Sequence, residues 1–268
     1  MPELPEVEVT RLGIAPVISG RTISSVTVRE PRLRWPVPHI VGQLTGRRVE
    51  KVTRRAKYLI IDCGDGDLIV HLGMSGSLRI VPADTAPRRH DHIDIRFGEV
   101  LLRLHDPRRF GAMLWAPRGE IHPLLAHLGV EPLSDELTGA RLHALARGHR
   151  VAIKQFLMNG RHIVGIGNIY ANESLFLAGI SPFTLAMRVS AARCTRLTTA
   201  IRTTLTAAIH AGGSTLRDFV GGDGKPGYFQ QTYRVYDRLG KPCGTCGTPI
   251  RRRVQGQRAT FYCSTCQR

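Results

Sequence analysis

The chain of 268 residues carries 38 Lys and Arg against 21 Asp and Glu, a formal charge of +17, and 42% of it is hydrophobic. That apolar content fills real cores and excludes a disordered tail, while the length allows one large domain or two of ordinary size. The positive excess goes beyond what solubility requires and makes a polyanion the expected partner, although a basic protein of a crowded cytosol would share this composition.

No apolar run approaches the ~18 residues of a membrane span. The opening MPELPEVEVT is acidic and has no signal-peptide core, so a soluble, cytoplasmic protein away from membranes is expected. Residues 5–18 read as a short helix, with Val7, Leu12 and Ile14 as apolar positions, Pro5 early, an acidic first turn and Gly20 beyond. From 21 to about 116 come short β-branched runs, among them TISSVTV, YLIID, DLIVHL, HIDIRF and EVLLRL, punctuated by Gly, Pro and Asp. That texture predicts an antiparallel sandwich or barrel. Past Gly119 the periodicity turns helical in ELTGARLHALARG, RVAIKQFLMNG, NIYANESLFLAGI and SAARCTRLTTAIRTTLTAAIHAG. After residue 221, GGDGKPGYFQQ is too rich in glycine for helix or strand and reads as a loop that closes over a ligand. The expected fold class is multi-domain α+β, divided at 1–130, 131–221 and 222–268.

Four of the six cysteines lie at the C-terminus as C-x2-C-x16-C-x2-C: Cys243, Cys246, Cys263 and Cys266. Two such pairs joined by a hairpin-length insert place four thiolates around one structural Zn²⁺, and in a reducing compartment metal is favoured over disulfides. The insert carries Arg251, Arg252, Arg253 and Arg258, so the ribbon lays positive charge where phosphate would lie. A ribbon that only caps a domain or binds protein is the plainer alternative. Cys63 and Cys194 stand alone and are expected to be buried and inert.

At the other end, removal of Met1 would leave Pro2 with a free secondary amine. An α-amino group titrates near 7.7–8.0 against about 10.4 for lysine, so roughly two to three hundred times more of it is neutral and nucleophilic at pH 7. Attack on a sugar C1′ would give an iminium ion, an electron sink for eliminations. Many proteins begin Met-Pro, so the neighbours matter: Glu3 follows directly and Glu6 lies one turn along the helix. Both can serve as general acid or base, and for Glu6 simple complementarity to the helix dipole explains the residue equally well. Lys57, in RRAKYLI, can reach a phosphate or an opened sugar; a surface lysine on a strand is the ordinary explanation.

The segments MPELPEVE at the start, RRAKYL at 54–59, HLGMSGSLR at 71–79, DPRRFG at 106–111, GIGNIYANE at 165–173, GDGKPGY at 222–228 and the terminal cysteine pairs span the chain in order. Together they resemble formamidopyrimidine-DNA glycosylase, a bifunctional glycosylase and abasic-site lyase. The resemblance implies an N-terminal helix with an antiparallel β-sandwich, then a helix-two-turns-helix module completed by a zinc-finger hairpin, with damaged double-stranded DNA between them. It implies excision of oxidised purines, 8-oxoguanine and formamidopyrimidines, through a Schiff base on Pro2, followed by β,δ-elimination. It further implies that Glu3 protonates the sugar ring oxygen, that Lys57 binds the phosphate beside the lesion and that Arg258 clamps the flanking phosphates. Met74, Arg108 and Phe110 match the trio that enters the duplex, the first and last filling the hole left by the flipped base and Arg108 reading the widowed cytosine. A thioether and a flat ring suit that void, and an arginine offers paired donors to cytosine O2 and N3.

Asn168 and Tyr170, with Gly165 and Gly167, match a phosphate-gripping turn, and Lys154 and His90 are further DNA-contacting positions. The loop from Gly213 to Tyr228 corresponds to the segment that closes over the everted base. A monomer acting in a bacterial cytoplasm at the nucleoid suffices. Val9, Thr10 and Arg217 depart from the family's commoner residues without touching the chemistry. Two rivals stay open: the endonuclease VIII group, which prefers oxidised pyrimidines, and a non-enzymatic zinc protein that binds DNA. Leu4, DPRRF and GDGKPGY favour the purine enzyme over the first. The second explains charge and finger but not the N-terminal helix.

Overall fold

The computed structural model describes residues 2–214 and 228–268, so most of the expected closing loop, with Arg217, lies outside the described residues. The chain forms two compact units, Met1–Ala126 with Ile209–Tyr228 and His127–Ala208 with Phe229–Arg268.

The first unit opens on helix α1 (Leu4–Ile18), followed by β1 (Ser25–Val28), β2 (Lys51–Arg55), β3 (Tyr58–Asp62), β4 (Gly66–His71), β5 (Ser77–Pro82), β6 (Asp91–Phe97), β7 (Val100–His105), β8 (Ala112–Pro117) and the single turn α2 (Pro123–Ala126). The strands build two antiparallel sheets, ordered β1-β6-β7-β5 and β2-β3-β4-β8. Alternation decides which side chains meet: in β3, Leu59 and Ile61 point inward, while Tyr58, Ile60 and Asp62 lie on the other face. The inward set joins Leu78, Ile93, Ile95, Leu102, Leu104 and Met113, and α1 adds Val7, Ile14 and Ile18 to the same core. Leu12, expected among the helix's apolar positions, is 49% exposed. Strand β8, AMLWAP, has no β-branched residue, and its pairing with β4 supplies the order that its composition does not announce.

The second unit holds α3 (Gly139–Ala146), α4 (Ile153–Leu157), α5 (Asn168–Leu177), most of α6 (Ala191–His210) and the hairpin of β9 (Arg251–Gln255) and β10 (Arg258–Tyr262). Thr138 caps α3 by accepting the Arg141 N–H at 3.0 Å. The expected division set residues 222–268 apart from the helices, whereas here the hairpin belongs with them. Four side chains make the join. Lys154 donates from Nζ to Ala259 O at 2.9 Å and to Thr260 Oγ1 at 2.7 Å, and Asn168 Nδ2 donates to the same Ala259 carbonyl at 3.1 Å. Asn172 Oδ1 accepts the Phe261 amide at 2.9 Å. Glu173 accepts the backbone N–H groups of Arg234, Val235 and Tyr236. Burial pushes its carboxyl upward, and these three amides oppose that shift. The hairpin is embedded by one strand only: Thr260, Phe261 and Tyr262 of β10 are buried, whereas β9 is exposed from Arg251 to Val254.

Candidate active site and metal centre

Pro2 and Glu3 are both buried, with Glu3 in the cap position of α1 in an extended conformation. Glu6 is fully buried, and its carboxylate holds two backbone amides: Oε2 accepts Glu3 N–H at 2.8 Å and Oε1 accepts Ser214 N–H at 2.9 Å. The residue therefore does more than complement a dipole. It joins the start of α1 to the end of the described segment at 213–214. Glu6→Ala removes the carboxylate that accepts from both amides, and the expected loss is about 2–5 kcal/mol of unfolding free energy, read by urea denaturation. A loss below about 1 kcal/mol would mean that the two amides find water.

Lys57 sits in the two-residue turn between β2 and β3, beside Ala56, a non-glycine residue at φ +55°. Arg54 steadies that strained turn by donating from Nη1 to Ala56 O at 2.8 Å, and is itself held at Nε by Glu8 of α1 at 3.1 Å. Burial raises the Glu8 carboxyl, but its bonds to Arg11 and Arg54 outweigh that and hold it below its ordinary value. One helix thus supports both Pro2 and the turn that bears Lys57.

His71, which the sequence did not single out, ends β4 directly opposite Tyr58. Its Nδ1 accepts the Gly73 N–H at 3.0 Å, so the neutral ring carries its proton on Nε2. Burial, with the charges of Lys57 and Arg34, pushes its pKa down to about 4. Because the folded value lies below the ordinary 6.5, the stability held above pH 6.5 is lost as pH falls toward 4. His71→Gln is expected to remove about 2–3 kcal/mol of the stability difference between pH 7 and pH 4.5. Identical slopes in the two proteins would show that His71 titrates normally.

His71 also lines a cleft of about 490 Å³ with Arg34, Gly73, Met74, Arg109 and Phe110. Met74 is 39% and Phe110 44% exposed, and the Arg108 guanidinium lies 4.9 Å from the Phe110 ring centroid. The three side chains of the expected trio therefore stand together on adjoining loops. His90 is half-buried at φ +74°, its ring edge-on to those of His92 and His105.

In the second unit, Arg258 is exposed and borders a recess of about 260 Å³ with Lys154, Gln155, Met158, Asn159, Gln255 and Gly256. Asn168 opens α5, its Oδ1 buried without a hydrogen bond. Lys154 and Tyr170, both expected at DNA, are interior here: Lys154 is 1% exposed and its ammonium is bonded to the hairpin, and the Tyr170 ring sits 5.7 Å from that of Phe229.

The four cysteine sulfurs lie within 4.8 Å of one another, with Cys246–Cys263 at 3.5 Å and Cys243–Cys266 at 3.9 Å. Thiolates set tetrahedrally at about 2.3 Å from zinc would stand about 3.8 Å apart, so the donor set fits that ion. The amides of Thr245 and Cys266 point at Cys243 and Cys263 Sγ, both at 3.5 Å, as supports of metal-bound sulfur do. Among the described residues this is the one cluster of three or more potential ligands.

Comparison with known proteins divides the chain into three matched segments. Residues 1–113 match the formamidopyrimidine-DNA glycosylase N-terminal domain, 128–220 its H2TH domain, and 240–268 the zinc finger found in FPG and IleRS. The chain belongs to the formamidopyrimidine-DNA glycosylase family. It is 60% identical over 274 residues to the formamidopyrimidine-DNA glycosylase of Bordetella pertussis and 58% identical over 276 residues to that of Paraburkholderia phytofirmans, with both chains covered completely. Among solved structures, MutM (Fpg) of Thermus thermophilus superposes with a TM-score of 0.89 at 39% identity, covering 99% of this chain and 98% of that one. A Lactococcus lactis Fpg variant bound to DNA containing Fapy-dG gives 0.92 at 31%, covering 99% of each. Formamidopyrimidine-DNA glycosylases are thus its relatives along the whole chain, in sequence and in fold, and the zinc finger is part of that inheritance.

Proposed function

We propose that the chain performs base-excision repair, removing oxidised purines from duplex DNA and cutting the strand at the emptied site. The observation that carries this is full-length likeness to glycosylases of one name, including structures bound to Fapy-dG and to carbocyclic 8-oxo-G DNA, in a chain that has Pro2 and Glu3 at the head of its first helix. The Pro2 amine attacks C1′ while Glu3 gives a proton to the ring oxygen, which opens the sugar. The base leaves with the C1′–N electron pair, and an iminium ion remains. Loss of a C2′ proton expels the 3′ phosphate, and a second elimination expels the 5′ phosphate. Lys57, Arg258, Asn168 and His90 hold phosphates, while Lys154 and Tyr170 serve the same surface from within by supporting its backbone. Met74 and Phe110 occupy the vacated stack and Arg108 reads cytosine. The zinc is structural and single, the chain acts as a monomer, and the setting is the bacterial nucleoid. Among the described residues no helix is long and apolar enough to cross a membrane.

Duplexes bearing 8-oxoguanine opposite cytosine or a thymine glycol separate the possibilities. Strand cleavage of the first with little of the second is expected. Preference for thymine glycol would make the chain a pyrimidine enzyme, and cleavage of neither would leave a DNA-binding protein.

A further inference from the structure

The loop that carries Arg108 and Phe110 is closed on itself by one carboxylate. Asp106 is fully buried at its first position, and Oδ2 accepts the N–H of Gly111, at its last, at 2.7 Å. The backbone of Asp106 is equally committed. Its N–H donates to His90 O at 3.0 Å, and its carbonyl accepts from Arg109 N–H at 3.2 Å and from His92 Nε2 at 2.8 Å. Gly111 in turn gives its carbonyl to the Arg34 N–H at 3.1 Å. Between these fixed ends Arg109 takes a left-handed backbone, φ +54°, which a non-glycine residue keeps only where its surroundings impose it.

The neighbouring loop is locked to the same peptide. Gly73, at φ +65°, lies so close that a Cβ there would stand 2.4 Å from the Phe110 carbonyl carbon and 2.5 Å from Gly111 N. Met74 follows directly, so the two loops meet backbone to backbone. Gly111 has no more room: a Cβ would come within 2.9 Å of both Asp106 Oδ2 and His71 O.

We propose that Asp106 is the positioning residue of this double loop, holding the Gly111 amide so that Arg108 and Phe110 meet DNA already in fixed register with Met74. The proposal rests on the functional reading of that trio given above. Asp106 touches neither base nor sugar. It acts by sparing the loop an ordering step on contact, a cost that would otherwise fall on the discriminating interaction.

The test is the ratio of excision rates on 8-oxoguanine opposite cytosine and opposite adenine, measured with the full-length, zinc-loaded protein. A ratio taken on one preparation is insensitive to the fraction that is folded. Asp106→Ala is expected to lower it about tenfold, the size that follows from orphaning one buried amide. Asp106→Asn, whose amide oxygen can still accept from Gly111, is expected to keep it within about twofold. Gly111→Ala presses on the same carboxylate from the other side and is expected to act like Asp106→Ala. Arg108→Ala in the same assay tests the underlying reading. If Arg108→Ala lowers the ratio and Asp106→Ala does not, or if Asp106→Asn fails as badly as Asp106→Ala, the clamp is wrong. If Arg108→Ala leaves the ratio unchanged, the assignment of the trio itself falls, and the clamp with it.

Discussion

A version of the protein with one or more residues ahead of Pro2 is expected to form no borohydride-trapped adduct with an 8-oxoguanine duplex and to leave the strand uncut. Only an amine with an available lone pair can become an iminium ion at C1′, and a peptide-bonded nitrogen has none to offer. In protein freed of Met1, borohydride is expected to reduce that ion to a stable amine, with peptide mapping locating the cross-link on Pro2 and not on Lys57 or Lys154. Pro2→Gly is a weaker test, because a primary amine still forms an imine. Glu3→Gln is the better companion: without its proton, base release slows by about a hundredfold or more. Cleavage of a preformed abasic site, whose glycosidic bond is already gone, is spared. An adduct on a lysine, or undiminished cleavage by the extended protein, would assign the nucleophile elsewhere.

Removal of zinc is expected to weaken DNA binding severely. The finger's apolar cluster is small, consisting of Phe176, Val235, Ile250 and Phe261 with Cys243 and Cys263, and two of its members are metal ligands. Metal binding in such a fold supplies about 10–16 kcal/mol of apparent free energy, more than so small a cluster replaces. Cys263→Ser, or a chelator, therefore releases the ion and disorders the strands that carry Arg251, Arg252, Arg253 and Arg258. Affinity for duplex DNA is expected to fall at least about a hundredfold, and its salt dependence to become shallower because fewer counterions are released. Restoring zinc to the chelated protein restores binding, whereas the serine variant does not respond. A Cys263→Ser protein with one zinc per chain and ordinary affinity would show that the ligand set is different.

The parts of this molecule legible in sequence are those whose signals are local. The short β-branched runs YLIID and DLIVHL announce β3 and β4, the cysteine spacing announces the metal, and the turn sequences around Met74 and Phe110 announce that these apolar side chains are exposed. What sequence did not disclose depends on partners distant in the chain. Glu6 finds the Ser214 amide 208 positions away, and nothing near Glu6 distinguishes an amide clasp from a catalytic acid. Lys154 reads as a surface cation until Thr260, 106 positions on, appears beside it. The hairpin looks like a separate domain because the glycine-dense stretch before it interrupts all periodicity, while its attachments are single polar residues scattered over α4 and α5. His71 gives only a histidine before a turn; its depressed pKa comes from burial and from Lys57 and Arg34, contributed by other segments.

The unequal burial of the finger's two strands also divides its mutational landscape. Thr260, Phe261 and Tyr262 are enclosed, so most changes along β10 register as lost folding, whatever the ligand. Arg251, Arg252 and Arg253 stand in water, and exchanging them there costs the fold little. The exposed arginines thus sit on β9 and at the outer end of β10, where Arg258 stands, and their charge can change residue by residue without endangering the buried half of β10 that anchors the ribbon.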